Sequence, residues 1–522
     1  MALQRVLFML DGFGIGPNTF TRSGTVGPYT DSDSLLKSAA ANVYRREWLW
    51  LDTWALGNLP DTPALLLEAA ATNLVTSDDL TAWTQSGTPV ITGGKTDPAG
   101  GTGAYTVEDN NGAAEEYITR SIALTDGTRT AVFVVRQKTM PASGVQSLTI
   151  IGAAIRLELN ISAWVSGAPT VAASVGTYLG KRYIGNGYWA LYGLTTTVVG
   201  ADSNVVRIHP AATAAQTGSI DVYRVNAYNS ASPGWSILDA SETRNVDTWY
   251  AAFAHVPQAM TVYVKFIEGM ATTWSGNEGV LHIGTAGMTG PLLHWYRASG
   301  TDLYYFKHTN GTSVEVSVDI NPTWGQTVEL RGVLNADGSI VAAGRLNGGT
   351  EVVSSATAAL ALANAWGDTR LYFNGRGTID AGLAAFISVK LVAGVKSMAE
   401  MVSLDPACVL NGLAIPVAEG SVRQNRFEIG DRDRTFDGTL RETIRSRVSI
   451  WDAETTPLSI ADMNEVVAKL ESSTQPHQAF GDMFKLKTGV LPNVFSRLNE
   501  SRLVQSGNER KYALSFTAEQ SS

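Results

Sequence analysis

The sequence has one cysteine, few histidines and no long apolar run. The single cysteine, Cys408, excludes a disulfide within the chain and a zinc site built mainly from cysteines. Six histidines spread over 522 residues leave little material for a histidine-rich metal centre. No stretch approaches about 18 consecutive apolar residues, so we expect no membrane span. We therefore expect no metal site, no cofactor and no membrane insertion.

Charged residues are also scarce. Asp, Glu, Lys and Arg make up 17% of the chain, whereas an average globular protein has roughly 25%. The net charge of −9 leaves no overall basic footprint, so we expect no nucleic-acid partner. Residues 409–522 hold 14 of the 39 Lys and Arg and 15 of the 48 Asp and Glu. This C-terminal part is thus charge-dense, and the part before it is unusually poor in charge.

Most of the sequence has the pattern of β-strands. Apolar and polar residues alternate, with many β-branched and aromatic side chains, in segments such as 147–152, 261–266 and 313–319. Asn-Gly and Asp-Gly pairs separate such segments, and these pairs accept the positive φ of tight turns. The pairs begin at Asn111, Asp126, Asn186, Asn310, Asp337, Asn347 and Asn374. The sequence therefore predicts many short strands joined by tight turns.

Helix signals are few. In residues 458–472 the apolar side chains Ile460, Met463 and Val467 fall at spacings of three and four, which gives one apolar face. Residues 32–42 could form a second, short helix. We therefore expect one clear α-helix in an otherwise β-rich chain.

Composition divides the chain into four parts. Two strand-rich blocks favour β-sandwiches of the jelly-roll type. The expected fold is mainly β, with two tandem jelly-roll-type sandwiches and a small β-rich C-terminal module that contains one α-helix. The predicted boundaries are 1–63 for an aromatic lead segment, 64–228 and 245–404 for the sandwiches, and 409–522 for the C-terminal module.

The first part of the chain resembles a recurring segment of phage tail and minor structural proteins. The resemblance lies in residues 20–22, 29–31, 39–42, 65–68 and 72–74, and continues at 83–84 and 185–189. In that family the segment leads into a carbohydrate-binding-module-like jelly roll. The family often has an arginine after the last of these motifs. Ala190 stands there in this sequence, so a role of that arginine does not carry over.

Two later segments carry further resemblances. Residues 241–247 and 261–264 resemble the start of a concanavalin/laminin-G-like sandwich that can follow in phage proteins. Residues 428–440, Trp451 and 514–516 are similar to a small module of siphophage tail proteins. Together the resemblances imply a homo-oligomeric tail or baseplate component of the virion, whose partners are other tail or baseplate subunits.

Aromatic side chains are the candidates for binding host surface glycans, because sugars stack their C–H faces on aromatic rings. The candidate residues are Trp274, Trp164, Trp295, Tyr296 and Trp366. Trp274 comes first, since Thr, Ser and Gly flank it as in a loop. The thirteen tryptophans must also fill cores, so any one of them is more often a core residue than a platform.

Arginines are the candidates for assembly in the C-terminal module. They alternate with acidic residues, and such charges can fix the register with a neighbouring subunit. The candidates are Arg432, Arg434, Arg441, Arg445 and Arg447. A solvated strand face is the alternative explanation of the same pattern.

We expect no catalytic residues and no enzymatic activity. Asp11 and Gly12 resemble the start of metal-dependent phosphomutases, but no Asp and His cluster follows that could hold two metals. A glycoside hydrolase needs two carboxylates across a cleft, whereas Glu115 and Glu116 would point to opposite sides of a strand. Residues 108–112 could hold calcium but lack the spacing of a dedicated loop. Three hypotheses remain: a glycan-binding tail protein, a purely structural tail protein, and a polysaccharide depolymerase.

Overall fold

The fold is mainly β, as the sequence predicts, with antiparallel sheets and two helices in the described residues. The computed structural model describes residues 6–11, 18–21, 28–30, 35–39, 45–47, 64–68, 70–198, 203–213, 216–230, 235, 237–252, 258–269, 278–284, 292–298, 301, 303–363, 370–373, 384–403, 408–410, 413–415, 423–434, 440–455, 458, 460–471, 477–480, 493–506 and 509–520.

The first strands of the chain are β1 Val6–Asp11, β2 Asn18–Thr21, β3 Pro28–Thr30, β4 Leu36–Ser38, β5 Arg45–Glu47, β6 Ala64–Leu67 and β7 Ala71–Thr72. After a 3₁₀ turn at Leu80–Ala82 come β8 Thr84–Ser86, β9 Val90–Lys95, β10 Ala104–Asp109, β11 Tyr117–Ile122, β12 Thr130–Thr139, β13 Gln146–Ile151, β14 Ile155–Val165, β15 Ala168–Val175, β16 Thr177–Tyr183, β17 Tyr188–Leu194, β18 Asn204–His209 and β19 Gly218–Tyr228.

The next strands are β20 Thr243–Arg244, β21 Thr248–Ala252, β22 Met260–Glu268, β23 Glu278–Gly284, β24 Leu292–Arg297, β25 Leu303–Asn310, β26 Thr312–Asp319, β27 Thr327–Leu334, β28 Ile340–Leu346, β29 Val352–Val353, β30 Arg370–Phe373 and β31 Ala384–Ala393. The C-terminal elements are α1 Met398–Ser403, β32 Cys408–Leu410, β33 Leu413–Ile415, β34 Arg423–Arg434, β35 Leu440–Glu454, α2 Ile460–Leu470, β36 His477–Phe480, β37 Asn493–Ser506 and β38 Glu509–Gln520.

The first sandwich consists of two six-stranded antiparallel sheets. Sheet I has the order β15-β14-β13-β18-β11-β8, and sheet II has the order β16-β17-β12-β19-β10-β9. Successive side chains point to opposite faces of a strand, so Leu148 and Leu159 of sheet I face Phe133 and Leu191 of sheet II. All four side chains are fully buried. Burial of these apolar side chains drives the pairing of the two sheets.

The second sandwich combines strands that precede the first sandwich in the chain with strands that follow it. Sheet III has the order β29-β28-β27-β22-β31-β6-β5, with β1 also paired to β31, and sheet IV has the order β2-β21-β30-β23-β24-β25-β26. Strand β6, which the sequence analysis assigned to the first block, therefore pairs with β31 of the second sandwich. Strands β1, β2 and β5 of the lead segment also lie in these two sheets.

The four sheets form consecutive layers. One core lies between sheets I and II, and another between sheets III and IV. A third core joins the outer face of sheet II to the outer face of sheet III, with Tyr192 and Val134 on one side and Leu66 and Ile387 on the other. The order of layers is thus I, II, III, IV, and the outer faces of sheets I and IV look in opposite directions.

The C-terminal module contains two long hairpins and one helix. The hairpins β34–β35 and β37–β38 are joined where residues 450–454 of β35 pair with 515–519 of β38. Helix α2 lies against β37 and β38, and its Val466 and Leu470 are fully buried. The predicted helix is confirmed as α2, although Val466 is more buried than Met463 and Val467 of the predicted apolar face, which are half-buried.

Local predictions hold better for turns than for the second predicted helix. The Asn310-Gly311 turn closes the β25–β26 hairpin, with Gly311 at a φ of 74°. Residues 32–42 contain the strand β4 instead of a helix, and the described part of that segment pairs with β3. Leu36 of β4 is buried in the core between the two sandwiches, so tertiary packing overrides the local helical preference.

Gly332 marks a point where sheets III and IV approach closely. A Cβ at this position would overlap the ring of Phe306, which is itself buried in the core. We predict that Gly332→Ala lowers the free energy of unfolding by about 1–3 kcal/mol, the usual cost of overpacking a core. Denaturant titration would measure the change. Gly112→Ala, where the added Cβ meets nothing within 4 Å, is the matched control and should change little.

Candidate functional site

The outer face of sheet I carries two adjacent rows of polar side chains. Strand register places Tyr117, His209, Ser147 and Asn160 in one row across β11, β18, β13 and β14. The next row across the same strands contains Thr119, Arg207, Thr149 and Glu158. Because neighbouring strands are only about 4.8 Å apart, these side chains form one continuous polar surface.

The middle of this surface is lower than its two sides. Strand β13 contributes the short side chains of Ser147 and Thr149, which are 1% and 3% exposed. Larger side chains stand on the flanking strands, Arg207 and His209 on one side and Glu158 on the other. We call this depression the β13 groove, with Ser147 and Thr149 as its floor.

Several polar atoms of the β13 groove have no hydrogen-bond partner although they are buried. They are Thr149 Oγ1, Asn160 Oδ1, Arg207 Nε and His209 Nδ1. A buried polar group without a partner costs about 1–3 kcal/mol. These atoms include a donor on Arg207 and an acceptor on Asn160, so they require a partner that can both accept and donate.

The acidic wall of the groove is held in place by its neighbours. Ser147 Oγ donates to Glu158 Oε1 at 3.2 Å, and Ser174 Oγ donates to Glu158 Oε2. Asn160 Nδ2 in turn donates to Ser174 Oγ at 3.1 Å, which turns the amide nitrogen toward β15. These contacts fix the orientation of Glu158 and Asn160 and reduce the entropy that a ligand would have to remove.

The opposite wall is a stack of three side chains. The Arg207 guanidinium lies 4.2 Å from the centroid of the Tyr117 ring, and the Tyr117 and His209 rings have centroids 4.6 Å apart. Burial, followed by the positive charge of Arg207, lowers the pKa of His209 from 6.5 to about 4. His209 is therefore neutral at pH 7, and Arg207 is the positive charge of this wall.

The sequence-predicted aromatic residues of the described chain fall in different environments. Trp295 is 1% exposed and lies in the core of the second sandwich, so it offers no ring face to a sugar. Trp164 is half-buried, packs against the core of the first sandwich and donates from Nε1 to Gln146 Oε1 at 3.0 Å. Trp295 is therefore a core residue, whereas Trp164 borders a core and is partly exposed.

Tyr296 is the predicted glycan residue that does reach a surface. It follows Trp295 on β24 and so faces the opposite side of sheet IV. Its ring stacks on Tyr305 of β25, with centroids 5.3 Å apart and an interplanar angle of 15°. Its hydroxyl donates to Glu315 Oε2 at 3.2 Å, and burial together with Glu315 raises the pKa of Tyr296 above its ordinary value. Trp274 and Trp366 lie outside the described residues.

The predicted assembly arginines lie on the β34–β35 hairpin. In the register of its strands Arg432 is opposite Glu442, Arg441 is opposite Asp433, and Arg447 is opposite Glu428, whereas Arg434 is opposite Leu440. Arg445 lies at the irregularity of the ladder, between the paired residues Ile444 and Ser446. Three of the five thus stand opposite an acidic residue in the strand register of their own hairpin, an arrangement that the alternative of a solvated strand face also predicts.

The other acidic candidates have structural partners. Asp109 accepts backbone N–H groups of Asn111 and Glu116 at 3.0 Å with its two carboxylate oxygens, which is the pattern of a turn. Glu116 is buried and accepts from Thr88, whereas Glu115 is exposed. Asp11 ends strand β1. No group of three or more His, Cys, Asp or Glu in the described part of the chain is arranged to hold a metal ion.

A buried acidic cluster was not predicted from the sequence. Tyr304 donates to Glu268, Arg297 pairs with Glu268 at 3.4 Å, and Glu278 lies close enough for the charge of Glu268 to act on it. Burial first, and Glu268 second, raise the pKa of Glu278 well above 4.5. All four side chains are at most 5% exposed.

The groove residues are small or polar, unlike the predicted glycan-binding residues, which are all aromatic. The segments that supply them are ordinary alternating strands, and their outward positions are expected to be polar in any sandwich. Only the order β14-β13-β18-β11 brings Glu158, Thr149 and Arg207 side by side. That order is not encoded in any local motif.

No protein-family model matches the chain, and no curated protein sequence matches it. Among solved structures it is similar to the CBM40 of the Ruminococcus gnavus IT-sialidase, with 12% identity, a TM-score of 0.22, and coverage of 28% of this chain and 82% of that one. The same CBM40 bound to α2,3-sialyllactose gives 13% identity, a TM-score of 0.21 and the same coverage.

NanB with Optactamide is also similar, at 12% identity and a TM-score of 0.21, over 50% of this chain and 42% of that chain. TM-scores this low carry no inference about fold or function. No helix among the described residues is long and apolar enough to span a membrane.

The lowered pKa of His209 predicts a pH dependence of stability. Between pH of about 6.5 and about 4 the unfolded chain binds a proton that the folded His209 does not, so stability falls as the pH falls through this window. His209→Gln should remove roughly 2–3 kcal/mol of this dependence. Denaturant titrations at several pH values would measure it, with NMR titration of the imidazole as the direct check. An imidazole that titrates near its ordinary value contradicts the prediction.

Proposed function

We propose that this chain is a non-enzymatic glycan-binding protein whose first sandwich holds a sugar in the β13 groove. The observation that carries the proposal is the set of buried, unpartnered polar atoms on Thr149, Asn160, Arg207 and His209. They lie on one outer sheet face, on three adjacent strands. A sugar hydroxyl both donates and accepts hydrogen bonds, so a polyhydroxylated ligand matches this mixed set better than an apolar or singly charged one.

The dimensions of the β13 groove agree with a short stretch of sugar. Ser147 and Thr149 are two residues apart on one strand, which is about 7 Å along the floor. Glu158 and Arg207 flank Thr149 from either side, so neighbouring hydroxyls of one ring can bond to a carboxylate and a guanidinium at once. We propose that the groove holds one or two sugar units, oriented by these two charged side chains.

A purely structural role is the second candidate, and a polysaccharide depolymerase is the third. A structural protein has no need for a carboxylate and a guanidinium that flank an unpartnered threonine hydroxyl on an outer face, as Glu158 and Arg207 flank Thr149. A depolymerase needs two accessible carboxylates about 5–10 Å apart. Glu158 is the one carboxylate in the two described rows of the groove, so glycan binding has the better support.

We propose further that the protein is part of a phage tail or baseplate and forms a homo-oligomer there. This rests on the sequence resemblances in residues 20–74, 241–264 and 428–516. The long β34–β35 and β37–β38 hairpins agree with an assembly role, because the parts that extend beyond their shared pairing at 450–454 and 515–519 are two-stranded, and two-stranded ribbons are only marginally stable unless they pack on something.

Thr149→Val tests the groove with the least disturbance. Valine keeps the shape of threonine and removes only the unpartnered hydroxyl, so stability should be unchanged or slightly higher. Affinity for the glycan found on an array of the full chain should fall about 5–10-fold, which corresponds to one lost hydrogen bond. Titration calorimetry of both proteins would measure it.

Arg207→Lys and Ser162→Ala complete this test. Lysine keeps the charge but lacks Nε, so we expect at least a 10-fold loss of affinity. Ser162 lies on β14 and is exposed, and its Oγ donates to Thr170 O at 3.5 Å, outside the two rows, so Ser162→Ala should bind like the wild type. Equal binding by all three variants, or no glycan bound by the wild-type chain, would exclude the groove as the site.

The proposed tail location is tested by truncation. Deleting residues 409–522 removes both long hairpins and α2 but leaves the four layers of the sandwiches. We expect the truncated chain to be absent from purified virions, as measured by immunoblot after gradient centrifugation. Its presence at the wild-type level would show that the C-terminal module is not the docking element.

A further inference from the structure

The outer face of sheet IV carries a continuous ladder of six aromatic rings. It runs across five neighbouring strands through Tyr250, Tyr372, His282, His294, Tyr296 and Tyr305, with successive centroids 5.1 to 5.7 Å apart. The centre of the ladder is covered, since His282 is 0% and Tyr372 is 4% exposed. Both ends of the ladder, Tyr250 and Tyr305, are partly exposed.

The two ends of the ladder differ. At the β21 end the Arg370 guanidinium lies 4.5 Å from the centroid of the Tyr250 ring. At the β25 end Tyr296 covers one face of the Tyr305 ring, and the next strand on the other side is β26. The β26 residue directly opposite Tyr305 is Ser317, which is small and exposed. Among the described residues, the strand neighbour on the second face of the Tyr305 ring is therefore a serine.

Polar groups surround this ring face. Lys307 and Glu315 form the next cross-strand pair, with Lys307 Nζ 3.9 Å from Glu315 Oε2. Asp319 lies on the other side, opposite Leu303, and is exposed. Strand β26 is the edge strand of sheet IV, so nothing in the sheet order continues beyond it. An aromatic face with a rim of donors and acceptors suits a ligand that has an apolar face and polar edges.

We infer that Tyr305 is the platform of a second sugar-binding site, separate from the β13 groove. The ligand class is a neutral oligosaccharide with one pyranose ring stacked on the second face of the Tyr305 ring. Its hydroxyls reach Lys307, Glu315 and Ser317, which differ in charge and so favour no net charge on the ligand. Tyr296 supports Tyr305 from behind, and its hydrogen bond to Glu315 also orients that carboxylate.

The experiment uses the full chain and saturation-transfer NMR with four probes, namely cellohexaose, maltohexaose, chitohexaose and β-1,4-galactotetraose. Tyr305→Ala removes the platform, Tyr305→Phe keeps the ring, and Thr309→Ala on the same strand face is the control. We expect at least one probe to bind the wild type, with affinity reduced more than 10-fold in Tyr305→Ala. Tyr305→Phe and Thr309→Ala should stay within about twofold of the wild type.

Each variant is repeated with Thr149→Val and Arg207→Lys added, so that the two sites can fail independently. Binding that survives the groove substitutions but is lost with Tyr305→Ala supports the second site whatever the fate of the groove. No transfer to any of the four probes, or binding by Tyr305→Ala equal to that of Thr309→Ala, overturns it. Thermal unfolding midpoints within 2 °C of the wild type confirm that the variants are folded.

Discussion

The arrangement of the sandwiches depends on one buried carboxylate, that of Glu68. Its Oε1 pairs with Arg244 Nη1 at 3.2 Å and accepts the backbone N–H of Trp235, while its backbone N–H donates to Asp247 Oδ2 at 3.1 Å. Glu68 is 0% exposed and Arg244 is 1% exposed. Removing one partner of such a pair typically costs about 3–5 kcal/mol, because the other charge stays buried. The junction between the two sandwiches is thus stabilised by a buried ion pair as well as by apolar packing.

Trp235 connects Glu68 to both sandwiches. Its carbonyl accepts from Arg182 Nη2 at 2.8 Å and from the Tyr192 hydroxyl at 3.1 Å, both on sheet II. Its ring stacks on Trp324 with centroids 4.7 Å apart, and the Trp324 ring lies 4.5 Å from Tyr192. The linker residue is therefore bonded to the first sandwich and stacked on a loop of the second. The groove of sheet I and the ladder of sheet IV are held at opposite ends of this rigid stack.

The sequence predicts local features of this protein and misses the ones that depend on partners far along the chain. Helix α2 and the Asn310-Gly311 turn follow from side-chain spacing and from glycine at positive φ. Alternation along β24 requires Trp295 and Tyr296 to face opposite sides, but two aromatic neighbours leave open which one is buried. The pairing of β6 with β31 joins residues more than 300 positions apart, and no local pattern encodes it.

The candidate site shows the same limit for a chemical reason. Tryptophans attract attention because their rings can stack on sugars, yet a large apolar ring is also the most useful filler of a core, which is where Trp295 lies. The groove instead uses serine, threonine and asparagine, which are common on any strand surface. Their significance lies in burial without partners, and that property appears only once the sheet order and the heights of neighbouring side chains are known.

Sheet III combines strands that precede the first sandwich in the chain with strands that follow it, and this has a consequence for synthesis. Strands β1 and β6 are synthesised before the first sandwich, whereas their partner β31 follows only after the whole first sandwich. The chain enters the first sandwich after β7 and leaves it before β20, and these two strands pair with each other. The first sandwich is therefore topologically an insertion that can fold on its own. Strands β1 and β6 of sheet III meanwhile have unpaired edges that can aggregate, which makes them natural clients for chaperones during synthesis.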